Sequence, residues 1–383
     1  MDCFHAAGEG PPSPRPNPNR PIRLEWETFL DRSLFSPSFA EYSALLSEKT
    51  ILITGAGGSI GSAVALLLMS GLAKRLILLD RSECNLLSLH KKRTELHTIL
   101  PTVEFIQADI LDERHLDEVF STCMPDVIFH TAALKHVTSL ESDPFAALEN
   151  NVLGTLYLLQ MADCFHVQHF VNVSTDKAVN PVSVLGVSKR IAELLLLAMD
   201  SAGLCTLSVR LGNILESSGS VVPIFLDSIK NHRPLPITDP LASRYFITLE
   251  ETATILMEAL KIRDASLLLP EMGRPRTVQQ LATFIMREVG CDFRDERAAY
   301  TGLGDGEKLH EELTYDYEHL LSTRTKQIYR IVGTKIESQD VFADNVGLLL
   351  ECVVERSKSN LIAKLQCVVP EFRPSATLLR YLS

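Results

Sequence analysis

The stretch Ile51-Leu52-Ile53-Thr54-Gly55-Ala56-Gly57-Gly58-Ser59-Ile60-Gly61 decides the fold. An apolar run rich in β-branched residues ends in a glycine cluster, which passes directly into an apolar segment of helical length. Glycines at positions 55, 58 and 61 form a variant of the dinucleotide-binding fingerprint: they permit a tight turn and let the backbone approach a pyrophosphate. The helix that follows turns free N–H groups and partial positive charge toward the same phosphates. Asp80 ends the next apolar run, at the distance expected for an acid that binds an adenosine ribose. Arg81 beside it is suited to a 2′-phosphate, so both NAD and NADP stay open. Asp109 ends the third run and suits the adenine end.

Outward from this stretch the chain alternates regularly. Apolar strands are predicted at Thr50–Thr54, Arg75–Leu79, Val103–Ala108, Val127–Thr131, His169–Val173 and Thr206–Leu211. Helices are predicted between them at Ile60–Ser70, Glu83–Leu100, Leu116–Thr122, Pro144–Cys164 and Ser183–Ala202. Continuous apolar strands separated by helix-length segments argue for parallel βαβ units with both sheet faces covered. The fold class is therefore α/β: a Rossmann-type doubly wound parallel sheet with a smaller C-terminal substrate-binding lobe.

Residues 1–21 form a flexible tail on this reading, with six prolines between Gly8 and Pro21. Residues 22–213 make the dinucleotide-binding domain. Residues 214–334 are mainly the substrate-binding lobe, with some segments returning to the first domain, and prolines break this region into short pieces. Within it, a helix is predicted at Thr277–Glu288, and Gly302–Leu313 reads as a glycine-containing loop running into a short helix. Residues 335–383 are a C-terminal helical segment.

Composition narrows the function. The chain has 383 residues, 46% hydrophobic and 22% charged, an ordinary globular balance. Its net charge of −11 disfavours binding to nucleic acid, which needs a basic face. An anionic substrate has to be met by local Lys and Arg instead. No apolar run is long enough to span a bilayer. Eight scattered cysteines without paired metal-ligand spacing predict reduced thiols, no metal site and a cytoplasmic location.

The fifth strand runs into Ser174-Thr175-Asp176-Lys177. Strand ends on this side of a doubly wound sheet face the ligand crevice, where an adjacent acid and lysine can give and take protons. Together with Thr54–Gly61, further motifs resemble the polysaccharide-biosynthesis (CapD-like) group of extended short-chain dehydrogenases/reductases, which contains UDP-N-acetylglucosamine 4,6-dehydratases. These motifs are Ala132–Val137, Asn150–Thr155, Ser174–Pro181, Val209–Asn213, Gly219–Pro223, Arg244–Phe246, Gly306–Leu313 and Val369–Pro374.

The resemblance implies oxidation at C4 of a UDP-sugar, loss of water across C5 and C6, and return of the hydride to C6. Lys177 would be the base at C5, Asp176 the acid at O6, and Thr175 a hydrogen-bond partner near O4. Lys189 would contact the nicotinamide ribose. Cofactor contacts are expected at Thr54, Gly55, Gly58, Ser59, Ile60, Gly61, Asp80, Arg81, Asp109, Ile110, Ala132 and Ala133, besides Lys189. Substrate contacts are expected at Lys135, Asn213, Val221, Arg244, Glu307 and Lys308. The chain departs from the pattern at Leu185, where the superfamily places its active-site tyrosine, and at Ser217-Ser218, where the family usually has arginine. Two other readings stand beside the dehydratase: a nucleotide-sugar epimerase or ketoreductase, and a non-catalytic nucleotide-sugar-binding protein. Related enzymes pair the helices at Pro144–Cys164 and Ser183–Ala202, and both carry more apolar residues than one sheet face needs, so a homo-oligomer is expected.

Overall fold

A computed structural model describes residues 24–95, 101–199, 203–263, 266–291, 293, 297–336 and 338–383. The proline-rich tail and the distal ends of two predicted helices, 96–100 and 200–202, lie outside the described residues. One sheet of nine strands organises the chain. Its strands are β1 (Thr50–Thr54), β2 (Arg75–Asp80), β3 (Thr102–Gln107), β4 (Val127–His130), β5 (His169–Thr175), β6 (Cys205–Leu211), β7 (Leu267–Pro270), β8 (His319–Ser322) and β9 (Ile328–Val332). The order across the sheet is β8-β9-β7-β6-β5-β4-β1-β2-β3. All strands from β3 across to β7 run parallel, and β9 pairs antiparallel with both β7 and β8. The strand order reverses between β1 and β4, which opens a crevice above their C-terminal ends.

Both sheet faces are covered, which is why the centres of β1, β2 and β4 read as unbroken apolar runs. One face carries the helices Ser59–Leu68 and Leu249–Ala259, packed on Ile51, Ile53, Val171 and Val209. The other carries Glu113–Cys123, Gly154–Cys164 and Val184–Ala198. Val184–Ala198 is buried all round, with every side chain from Val184 to Leu196 inaccessible or nearly so. Its outer side belongs to the same apolar cluster as Val346, Leu349, Val353, Leu361 and Leu365, which lie on the C-terminal helices Gln339–Val354 and Leu361–Val368. The apolar surplus on this helix is thus met within the chain.

The predicted helix Pro144–Cys164 forms as three joined pieces, Pro144–Leu148, a π-helical turn Glu149–Leu153, and Gly154–Cys164. A smaller core gathers Trp26, Phe29, Phe225, Phe246, Phe284 and Ile285. It joins the short helix Trp26–Leu30 to the helices Val221–Lys230 and Val278–Glu288, so the first described helix packs on the lobe. No helix forms between Gly302 and Leu313. Gly302 and Gly306 have φ of +79° and +83°, outside the helical region, and His310 instead bridges to Ser243.

Candidate active site

The glycine turn is built as its spacing requires. Gly55 has φ +66°, and a Cβ there would lie 2.7 Å from Ala132 Cα. At Gly61 a Cβ would fall 2.2 Å from Gly55 O and 2.7 Å from Thr131 Oγ1. Asp80 secures the turn from below, accepting hydrogen bonds from Gly57 N and Ser82 N, each at 2.9 Å. Thr54 Oγ1 lies 2.8 Å from His130 Nδ1, whose ring reaches Thr155 Oγ1 at 2.9 Å on its other side. Burial first, then the charge of Lys189, pushes His130 down to about 3, so the ring is a neutral strut. A cavity of about 310 Å³ adjoins the turn and is lined by Gly55, Gly58, Asp80, Arg81, Asp109, Ile110, Ala132 and Ala133, among others. Eight of the residues assigned to cofactor binding thus share one cleft. Thr54 and Gly61 lie in the framework behind it. Ile60 packs against the core, and Ser59 Oγ accepts from Ser218 N at 2.9 Å.

The wall at Ala132–Leu134 is held by Asn151 in the π-helical turn. Its side chain accepts from Leu134 N at 2.9 Å and donates to Leu134 O at 3.0 Å and Ser188 Oγ at 3.1 Å. The Asn150–Thr155 motif is accordingly a clamp that joins the crevice wall to helix Val184–Ala198.

At the end of β5, Asp176 is fully buried. Its Oδ1 accepts from Lys177 Nζ at 2.9 Å and Thr175 Oγ1 at 3.0 Å, while Oδ2 has no hydrogen-bond partner. Lys177 Nζ also donates to Asn213 Oδ1 at 3.0 Å and lies 3.5 Å from Glu311 Oε1. Burial works against the charge on Lys177, but Asp176 and Glu311 outweigh it, and its pKa stands above the ordinary lysine value. The resting pair is ammonium and carboxylate. Lys189 meets Asn172 Oδ1 of β5 at 3.5 Å; burial drives its pKa down to about 8, partly countered by Glu193. Leu185 is 7% exposed and packed in the apolar core, offering no phenol. Burial first, then the charge of Asp176, raises the pKa of Tyr245, so that nearby phenol holds its proton.

A second cavity, of about 460 Å³, is lined by Lys177, Lys135, Asn213, Val221 and Glu307, with His136, Ser217 and Gly219. Four of the six expected substrate contacts meet there. Lys135 Nζ donates to Ser218 O at 2.8 Å, and burial lowers its pKa. The other two do not line it. Arg244 is 6% exposed and donates to the carbonyls of Ser243 and Leu309, at 2.8 and 3.1 Å. Lys308 donates to Val179 O at 2.6 Å. Sequence reasoning missed Glu311, which becomes visible only when residues 306–313 fold against β5.

A family model for polysaccharide biosynthesis proteins matches residues 51–333. The capsular polysaccharide biosynthesis protein CapD of Staphylococcus aureus is 35% identical over 80% of this chain and 52% of its own length. The probable polysaccharide biosynthesis protein EpsC of Bacillus subtilis is 34% identical over 75% of this chain and 48% of its own. The chain spans about half the length of these two relatives. The UDP-glucose 4-epimerase of Rickettsia rickettsii is 32% identical over 74% of this chain and 83% of that protein. Among solved structures, Pen from Bacillus thuringiensis superposes with a TM-score of 0.66 at 27% identity, covering 76% of this chain and 89% of Pen.

Proposed function

The chain belongs to the polysaccharide biosynthesis protein family of extended short-chain dehydrogenases/reductases, and from that premise we propose that it is an NAD- or NADP-dependent nucleotide-sugar 4,6-dehydratase. UDP-N-acetylglucosamine or a related UDP-sugar is the proposed substrate. The observation that carries the reading is the buried Asp176–Lys177 pair, with Lys177 opening onto the cavity shared with Asn213 and Glu307. An epimerase needs no such acid–base pair at C5 and C6.

The cleft at Gly55, Gly61 and Asp80 fits a dinucleotide, because a Cβ at either glycine would fill the turn. Once bound, that group supplies hydride uptake from C4 and hydride return to C6. The elimination falls to the chain's own residues. One proton moved across the 2.9 Å between Lys177 Nζ and Asp176 Oδ1 converts ammonium and carboxylate into amine and carboxylic acid, with no change in net charge. Exclusion of water by substrate favours this neutral form. The amine takes the C5 proton and the Asp176 carboxyl gives its proton to O6. The C5–H and C6–O bonds break, C5=C6 forms, water leaves, and Lys177 stands as ammonium beside the Asp176 carboxylate. When the hydride returns to C6, Lys177 gives the proton back to C5. Thr175 Oγ1 steadies Asp176 and faces the O4 region. Lys189, its pKa lowered to about 8, serves the nicotinamide ribose and takes the O4 proton as C4 is oxidised.

A UDP-sugar and a nicotinamide cofactor are cytoplasmic metabolites, and we place the enzyme there. If copies associate, the half-buried Leu156, Tyr157 and Met161 of helix Gly154–Cys164 supply the surface, since helix Val184–Ala198 has none to spare.

The Rickettsia relatives favour a second reading, 4-epimerisation, in which the hydride returns to C4. Incubation with NAD or NADP and UDP-N-acetylglucosamine, followed by mass spectrometry, separates the readings. Loss of one water supports the dehydratase. An isomer of unchanged mass identifies an epimerase. Binding of the sugar nucleotide without any conversion identifies a binding protein.

A further inference from the structure

We propose that Glu311 is a positioning residue for the Lys177 amine, the second anionic anchor that, with Asp176, fixes its place and sets the pH at which it works as a base. The inference deepens the dehydratase reading and rests on it for the role of Lys177. Glu311 has a side chain only 2% exposed, in a segment brought to the end of β5 by the chain beyond Gly306. Its Oε1 stands 3.5 Å from Lys177 Nζ and 3.9 Å from Arg244 Nε, and its Oε2 has no hydrogen-bond partner. A buried carboxylate with half its acceptor capacity unused is costly unless its charge is needed.

Two acceptors hold the amine by hydrogen bonds, Asp176 and Asn213, and the Glu311 carboxylate faces it as an ion pair at 3.5 Å. Two of the three N–H donors of the ammonium are engaged by hydrogen bonds, and the Glu311 charge lies on a further side, so the set holds it in one place. Asp176 must change its protonation during elimination and cannot anchor the amine throughout. Glu311 touches neither the glycine turn nor Thr175, and is free to remain a carboxylate while Asp176 gives up its proton. Other charged or titratable groups near the amine are Arg244, whose charge opposes that of Lys177, Tyr245 by way of Asp176, and Lys135, His136 and Glu307 across the cavity.

The test is Glu311→Gln, with Glu311→Asp as the conservative partner. Lysine side-chain NMR follows Lys177 through a pH titration, its signal assigned by its loss in Lys177→Arg. This readout needs no turnover. Removing the anionic neighbour should lower the Lys177 pKa by roughly 1 unit, and the aspartate should restore part of it. In the dehydration assay the rise of rate with pH should move down by the same amount, with kcat reduced more than KM is altered. An unchanged Lys177 titration in a folded Glu311→Gln protein overturns the inference, as does an equal fall in rate at every pH. A shifted titration in a protein that dehydrates no UDP-sugar leaves Glu311 as the amine's anchor and removes the dehydratase reading instead.

Discussion

Replacing Arg210 by methionine removes the centre of a buried charge network beneath the site. Arg210 is fully buried, and its guanidinium donates to Glu193 at 3.0 and 2.9 Å, to Glu318 at 2.8 and 3.3 Å, and to Leu313 O at 2.8 Å. Glu193 in turn accepts from Ser174 Oγ at 2.6 Å, just before Thr175-Asp176-Lys177. Breaking a buried ion pair from one side costs about 3–5 kcal/mol. Both carboxylates keep partners: Arg190 for Glu193 at 3.0 Å, and Thr334 and Tyr315 N for Glu318 at 2.6 and 3.0 Å. The lower end, about 3 kcal/mol, is therefore expected.

The sign of the pH effect follows from Glu193. Burial pushes its pKa up, but Arg210 and Arg190 outweigh this and hold it at about 2, below its ordinary 4.5. Its contribution is present above 4.5 and lost as pH falls toward 2. Without Arg210 the carboxylate takes a proton at higher pH, so the deficit of the variant should shrink between pH 7 and pH 5. Denaturant unfolding at both pH values measures it, and Arg210→Met combined with Glu193→Gln should regain part of the loss. A deficit below about 1 kcal/mol at pH 7, or one equal at both pH values, refutes the reasoning.

Gly61→Ala adds a methyl 2.2 Å from Gly55 O; the overlap costs about 1–3 kcal/mol against a helix gain of about 1 kcal/mol. Calorimetric titration should show NAD or NADP binding weakened about tenfold or more, and unchanged affinity would count against the turn as the phosphate cradle. Lys177→Ala should abolish loss of water while the protein still binds the dinucleotide; product formed at the parent rate would remove Lys177 as the C5 base. Lys189→Met should raise the denaturation midpoint at pH 7, because the folded pKa of about 8 lies below the ordinary 10.5 and the buried charge is destabilising. That gain should fade between pH 8 and 10.5 as the parent loses the proton, and a pH-independent gain would assign the effect to packing. A chain ending at Ser338 exposes the face around Leu194 and Leu195 and should sediment as aggregate; a soluble, folded product would show the C-terminal helices to be dispensable.

The first six strands were legible because apolar residues recur through them between helix-length segments; β1 and β6 close on a glycine, β2 on an acid and β5 on a serine-threonine pair. β8 and β9 were not. His319–Ser322 is exposed along its length and Ile328–Val332 is buried only at Ile328 and Ile331, and neither resembles the runs of a strand covered on both faces. Asp176 and Lys177 could be placed because they abut a strand end, and Glu307 because it stands in a motif. Glu311 belongs to the site only through contacts made far away in sequence, and its spacing from Leu309 and Leu313 looked helical. Three glycines, Gly302, Gly304 and Gly306, decided that segment locally, two of them with positive φ. Arg244 was expected at a diphosphate; its Nη1 donates to the carbonyls of Ser243 and Leu309, contacts that residue type alone does not signal.

Helix Val184–Ala198 carries Lys189 at the crevice and is roofed by residues 339–368. On the ribosome the helix emerges well before its roof. At about 5–20 residues per second the wait is on the order of ten seconds. During that interval Leu194, Leu195 and their neighbours have nothing to pack on except the nascent sheet and other chains. These later-made helices therefore act as a release step in biogenesis: a chain stalled or cut before residue 339 keeps its glycine turn and its Asp176–Lys177 pair, but carries a sticky flank that invites chaperones and proteases.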